Sequence, residues 1–379
     1  MRSLDLARDA CDRNHPGLLK ALTELPLSAR EAVGSPVIEQ FRAHGGPGLL
    51  VPERFGGLGV PALEAVRVTR AIGAASPSLS VAATMHNFTA AMLFELTERI
   101  GAPTPEQAAL LGRIAPEGML LASGWAEGRT EQNILAPTVQ ATRIDGGFLV
   151  NGAKKPCSLS ASMDLLTASA FLNDEQGTPQ LVILLVPGDA AGVTRHPFWG
   201  TDILAAAQSE EVRLKDVFVP DRLVIRATRE DPARLDDLQT AAFVWFELLV
   251  TAAYVGVGSE LVERVLSGAR GSVSDRASLA IALESAVELT EGAARAVDEG
   301  VFGDEAVARV LVTRYAVQRA LAAAGDLAVE LLGGIAFISS PEIAYLSAAA
   351  RPLGFHPPSR TSTAQALVDY FAGGPLLLS

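Results

Sequence analysis

The sequence predicts an α+β multidomain chain: an N-terminal all-α domain (1–118), a middle β domain (119–226) and a C-terminal helical bundle (227–379). Three observations carry this. The first third consists of helical runs broken by Pro/Gly loops, residues 119–226 switch to short strand-type runs, and Ala/Leu/Val-rich helical runs return after that. A chain of 379 residues is also too long for one simple core.

The elements follow in order. PALEAVRVTRAIGAA (61–75) and FTAAMLFELTERIG (88–101) space their apolar residues at the helical period. TVQATRI and FLVNGAKK flank Asp145-Gly146-Gly147, a hairpin signal because these residues accept the backbone of a tight turn. DLLTASAFL, QLVILLVP and EEVRLKDVFVP supply further strands, separated by turn residues. Helical spacing then covers 236–268, 277–299, 304–333 and 361–373. No GxGxxG follows a strand, so a Rossmann cofactor site is disfavoured.

Composition narrows the function. Apolar residues make up 49% and charged residues 20%, which fits a compact enzyme rather than a disordered chain. A net charge of −12 and a pI near 5.0 argue against nucleic acid or an anionic membrane as partner. Cys11 and Cys157 are far apart, with no CxxC or His-rich company, so neither a disulfide scaffold nor a zinc site is expected and a reducing cytoplasm fits. The N-terminus lacks the apolar run of a signal peptide. Residues 241–258 approach membrane-span length but read as a buried core helix, so no membrane insertion is expected. That run contains one carboxylate, Glu247. Buried carboxyls tend to have raised pKa values, which is what a base for an unactivated C–H bond needs.

Particular words inside this order resemble the acyl-CoA dehydrogenase superfamily of flavoproteins. GLLVPERFGGLGVPALEAVRVTRAIGAA (48–75) is similar to its N-terminal helix–loop–helix signature, and MHNFTAAML (85–93) to the start of its next helix. ASGWAEGRTEQN with DGGFLVNGAKKPCS resembles the flavin-facing loop and the hairpin after it. GTDILAAAQSEEVRLKDVFVPDRLVI (200–225) matches the end of the β domain, and LLGGIAF (331–337) the Gly-Gly turn of the bundle. The resemblance implies a central β-barrel or sandwich and a C-terminal four-helix bundle, with FAD held between them in a homodimer or homotetramer. It also implies oxidation of an acyl thioester, a proton leaving the α-carbon as hydride passes from the β-carbon to flavin N5.

Several residues carry over with departures. Trp125, Ala126, Glu127, Thr130, Gln132 and Asn133 stand in the flavin-facing loop, with alanine where the family has a threonine hydroxyl. Ser158 matches the threonine that reaches N5, Pro156 replaces an aromatic, and Cys157 reads as packing. Gly333 and Gly334 match the turn that grips the adenine half. The family's Arg-x-x-Phe-Gly word is missing, with Arg270 or Arg276 as possible substitutes. The C-terminal segment AARPLGFHPPSRTSTAQ lacks the usual glutamate base. A minority of the family place the base on the first long bundle helix, where Phe246 or Glu247 falls according to a one-residue shift. His356 is the rival, near the position of the lost glutamate, and His86 is expected on the same cavity.

The leading expectation is therefore FAD-dependent α,β-dehydrogenation of an acyl thioester, bound to coenzyme A or a carrier protein, with Glu247 or His356 as base. A flavoprotein or O₂ would accept the electrons. The alternatives are a reduced-flavin, O₂-dependent monooxygenase of the same fold, and a homologue that has lost catalysis and serves as a binding partner.

Overall fold

The computed structural model describes residues 1–99, 103–128, 137–173, 179–226 and 235–378. The N-terminal helices are α1 (Arg2–Asn14), α2 (Leu18–Thr23), α3 (Leu27–Arg30), α4 (Val37–Ala43), α5 (Ala62–Ala75), α6 (Pro77–Arg99) and α7 (Pro105–Leu111). Helix α6 begins eleven residues before the predicted start at Phe88. SPSLSVAATMHN looks like a loop by composition, yet its serines are buried and partnered: Ser80 donates to the Thr69 carbonyl, and Ser76 and Ser78 donate to the Glu31 carboxylate.

The middle region forms one mixed eight-stranded sheet. Its strands are β1 (Leu121–Gly124), β2 (Gln140–Ile144), β3 (Gly147–Cys157), β4 (Leu165–Asn173), β5 (Pro179–Pro187), β6 (Val193–His196), β7 (Glu210–Pro220) and β8 (Val224–Arg226). The order is β6-β7-β3-β2-β4-β5-β8, with β1 parallel to β4. The predicted hairpin is β2–β3, closed by Ile144 opposite Gly147 and by a left-handed Gly146 at φ 76°. The other three predicted strands are β4, β5 and β7.

The C-terminal helices are α8 (Asp237–Ser267), α9 (Val273–Asp298), α10 (Gly303–Leu332), α11 (Gly334–Ser339), α12 (Pro341–Ala349) and α13 (Ala364–Phe371). Capping boxes set the starts of α8 and α9: Asp236 with Gln239, and Ser272 with Asp275, each pair exchanging side-chain and backbone hydrogen bonds. Gly333, at φ 86°, breaks the chain between α10 and α11. Helix α8 is long and apolar enough to cross a membrane, but 89% of its most apolar window is buried inside the protein. It crosses α5 where two glycines meet: a Cβ on Gly256 would lie 2.2 Å from the Arg70 carbonyl oxygen and 2.9 Å from Gly73 Cα.

Candidate active site

A cavity of about 560 Å³ lies between the sheet and α8. Trp125 and Ala126 after β1, Pro156 at the end of β3, Ser158 just beyond it and Ser209 before β7 form its β-side wall. Val81, Met85 and Phe88 of α6 face them, beside Gln239, Ala242, Phe243, Phe246 and Tyr254 of α8. Positions 239, 242, 243 and 246 recur at the spacing of one helical stripe. A turn over 352–357 adds Phe355 and His356.

This phase settles the one-residue ambiguity on α8. Phe246 faces the cavity. Glu247, about 100° further round the helix, is fully buried and outside the lining. Both its carboxylate oxygens accept from the Arg314 guanidinium of α10, at 2.7 and 2.9 Å. Arg314 also donates to the carbonyls of Leu353, His356 and Pro357. Burial pushes the Glu247 carboxyl up to about 7 against the pull of Arg314. The expectation of a cavity-facing base at Glu247 is thus corrected on geometry: the carboxylate is spent on anchoring the turn that carries His356.

His356 does line the cavity. Its Nε2 shares a 2.9 Å hydrogen bond with the Tyr254 hydroxyl, and its ring packs edge-on against Phe246 at 5.8 Å. The residue is half-buried, on the wall of the cavity. Burial, with Arg314 nearby, pushes the imidazole down to about 3, and burial holds the Tyr254 phenol above its usual range. Both groups are therefore neutral near pH 7.

His86 is corrected as well. Its Nε2 bonds to the Pro47 carbonyl at 2.9 Å, and its Nδ1 accepts from the Leu121 N–H at 3.0 Å. Both nitrogens are occupied by main chain, the ring lies outside the lining, and burial pushes its pKa down to about 4. It pins α6 to β1. Glu127 also turns from the cavity, accepting from the backbone N–H groups of Thr138 and Val139 and pairing with buried Lys154 at 2.8 Å. Thr130, Gln132 and Asn133 lie outside the described residues. Arg270 is exposed at the end of α8, and the Gly333–Gly334 turn has nothing within 4 Å of either added Cβ. Cys157 is buried, with its thiol pushed up to about 12 by burial, in keeping with packing.

The lining fits a planar heteroaromatic ring. Trp125, Trp199, Pro156 and Phe246 offer flat apolar faces. Trp125 Nε1 is buried without a partner among the described residues, so a donor is left for a bound acceptor. Ser158 and Ser209 hydroxyls share a 2.9 Å bond at the wall. In the cavity wall, buried Leu204 holds a left-handed backbone, φ 62°. Its N–H donates to the Tyr345 hydroxyl of α12 at 3.1 Å, and that hydroxyl donates to Glu31 at 2.6 Å. Glu31 in turn accepts from Ser76 and Ser78 at the start of α6. Tyr254 was legible as part of the α8 stripe, eight positions after Phe246. Arg314 was not, because nothing local ties it to a partner 67 positions away.

Comparison with known proteins adds four findings. Residues 19–99 match the family described as acyl-CoA dehydrogenase, N-terminal domain. The chain is 67% identical over 376 residues to isobutylamine N-hydroxylase from Streptomyces viridifaciens, covering 99% of this chain and 100% of that protein. It is 30% identical over 228 residues to dibenzothiophene monooxygenase from Rhodococcus erythropolis, 57% of this chain and 52% of that one. Among solved structures, KijD3 in complex with FMN and a dTDP-linked amino-keto sugar superposes with a TM-score of 0.84 at 19% identity, over 97% of this chain and 94% of that one. The named relatives oxygenate or N-oxidise, so thioester dehydrogenation gives way to the oxygen-dependent alternative as the better-supported reading.

Proposed function

The chain belongs to the acyl-CoA dehydrogenase superfamily as a divergent member, and from that premise we propose that it is a flavin-dependent monooxygenase that converts a small alkylamine to its N-hydroxylamine. The observation that carries this reading is the full-length 67% identity to an amine N-hydroxylase. The site supports it from the other side: among the described lining residues there is no carboxylate to take a proton from a thioester α-carbon.

A reduced flavin, when bound, supplies two electrons with which dioxygen is split, one oxygen going to the amine nitrogen and the other to water. We assign Trp125, Ala126 and Ser158 to holding the ring, and FAD as the form bound. Apolar walls from α6 and α8 exclude water from the reacting atoms. The Tyr254–His356 pair holds a neutral hydrogen-bonding group at the wall, where it can orient a proton without adding charge. Two buried free cysteines fit a reducing, cytoplasmic setting.

The test is direct. Purified protein given reduced FAD, oxygen and isobutylamine should yield the hydroxylamine by mass spectrometry, with reduced FMN tried in parallel. Anaerobic flavin bleaching by an acyl-thioester panel, with no amine product, would restore the dehydrogenase.

A further inference from the structure

The described lining of the cavity carries no formal charge. Among its described lining residues there is no aspartate, glutamate, lysine or arginine; the polar side-chain groups are hydroxyls, the indole N–H groups of Trp125 and Trp199, the Gln239 carboxamide and the His356 imidazole. His356 faces Tyr254 and Phe246 of α8, and Arg314 of α10 bonds only to its carbonyl. The ionisable groups packed behind that wall, Glu247 and Arg314, are paired with each other, one Arg314 nitrogen donating to both carboxylate oxygens. Gln239 Oε1 is already engaged by the Asp236 N–H. An ammonium entering here meets no counter-ion among the described residues, and burying an unpaired charge is far costlier than burying a neutral polar group.

Resting on the N-oxidation reading, we infer that the cavity takes its amine as the uncharged free base and leaves the proton in solvent. Its substrates are thereby apolar monoamines, while zwitterions and diamines are excluded. An alkylamine titrates near a lysine side chain, so at neutral pH about one molecule in a thousand is free base. That thousandfold toll is smaller than the cost of stripping water from an unpaired cation. The chemistry needs the same species. The nitrogen lone pair forms the bond to oxygen, and an ammonium has none to give. His356 does not take the proton, since burial holds its imidazole neutral well below pH 7.

Isothermal titration of the protein loaded with oxidised flavin tests this, using isobutylamine in two buffers of unequal ionisation heat at about pH 7.5. The expected result is about one proton released per amine bound, with an apparent Kd that tightens about tenfold per pH unit from 7 to 9. Isobutanol, an uncharged analogue of nearly the same shape, should bind with no release and no pH dependence. Amine binding without proton release, a pH-independent Kd, or no amine binding at all overturns the inference. Hydroxylamine formation alongside a pH-independent Kd would leave the N-oxidation reading standing; free-base binding without any hydroxylamine product would do the reverse.

Discussion

Arg314 spends its guanidinium on one carboxylate and on three carbonyls of the turn that carries His356. Removing one partner of such a buried pair strands the other charge, at a cost of about 3 to 5 kcal/mol. Glu247→Gln should therefore lower stability by about that amount in urea unfolding, while the protein that remains folded keeps its flavin and turns over within a few-fold of wild type. Complete loss of turnover in well-folded, flavin-loaded Glu247→Gln would return this residue to the chemistry. What the sequence showed here was a carboxylate in an apolar helix, and it was right that the group is buried with a raised pKa. It could not show direction, because the partner that fixes the side chain comes from another helix.

At the level of elements, periodicity located most of the architecture. The hairpin at Asp145-Gly146, the strands β4, β5 and β7, and the three long bundle helices follow from spacing, turn residues and caps. What periodicity did not pick out includes the short strands β1, β6 and β8, α11 and α12, too short to show a period, and the start of α6, where buried hydroxyls mimic a loop. Glycines within helices split by surroundings. Gly256→Ala would drive a methyl into the Arg70 carbonyl and force α5 and α8 apart, so a loss of about 1 to 3 kcal/mol is expected in thermal unfolding. Gly325, inside α10 with open space around it, should behave oppositely: Gly325→Ala is expected to stabilise by about 0.5 to 1 kcal/mol.

Across the whole molecule, acid should be the main threat to stability. Burial lowers His15 and His86 to about 4 and His356 to about 3, so each contributes stability above about pH 6.5 that is lost as pH falls. Glu247, raised to about 7, acts in the opposite sense and gains as pH drops toward its unfolded value of 4.5. Between about pH 4.5 and 6.5 the three imidazoles outweigh the one carboxyl, so unfolding takes up protons on balance and stability falls as pH falls. Denaturant midpoints measured across that window check the slope; a flat profile would mean the imidazoles are not held neutral. The apolar surface invites association. Ile335 and Ile338 of α11 are each 81% exposed, beside the Gly333–Gly334 turn. A dimer or larger species is expected by light scattering, and Ile335→Asp with Ile338→Asp should dissociate it. The surface such a species would share is not readable from one chain's spacing, because it would depend on a second copy.

The chain of hydrogen bonds from Leu204 through Tyr345 to Glu31 has a consequence of its own. A leucine held in a conformation that costs about 1 kcal/mol stays there only while its neighbours insist on it. That part of the chamber wall is thus latched to a carboxylate in the first forty residues, one that also fastens the start of α6. Cutting that latch at residue 31 would slacken the wall without replacing any residue that lines the room.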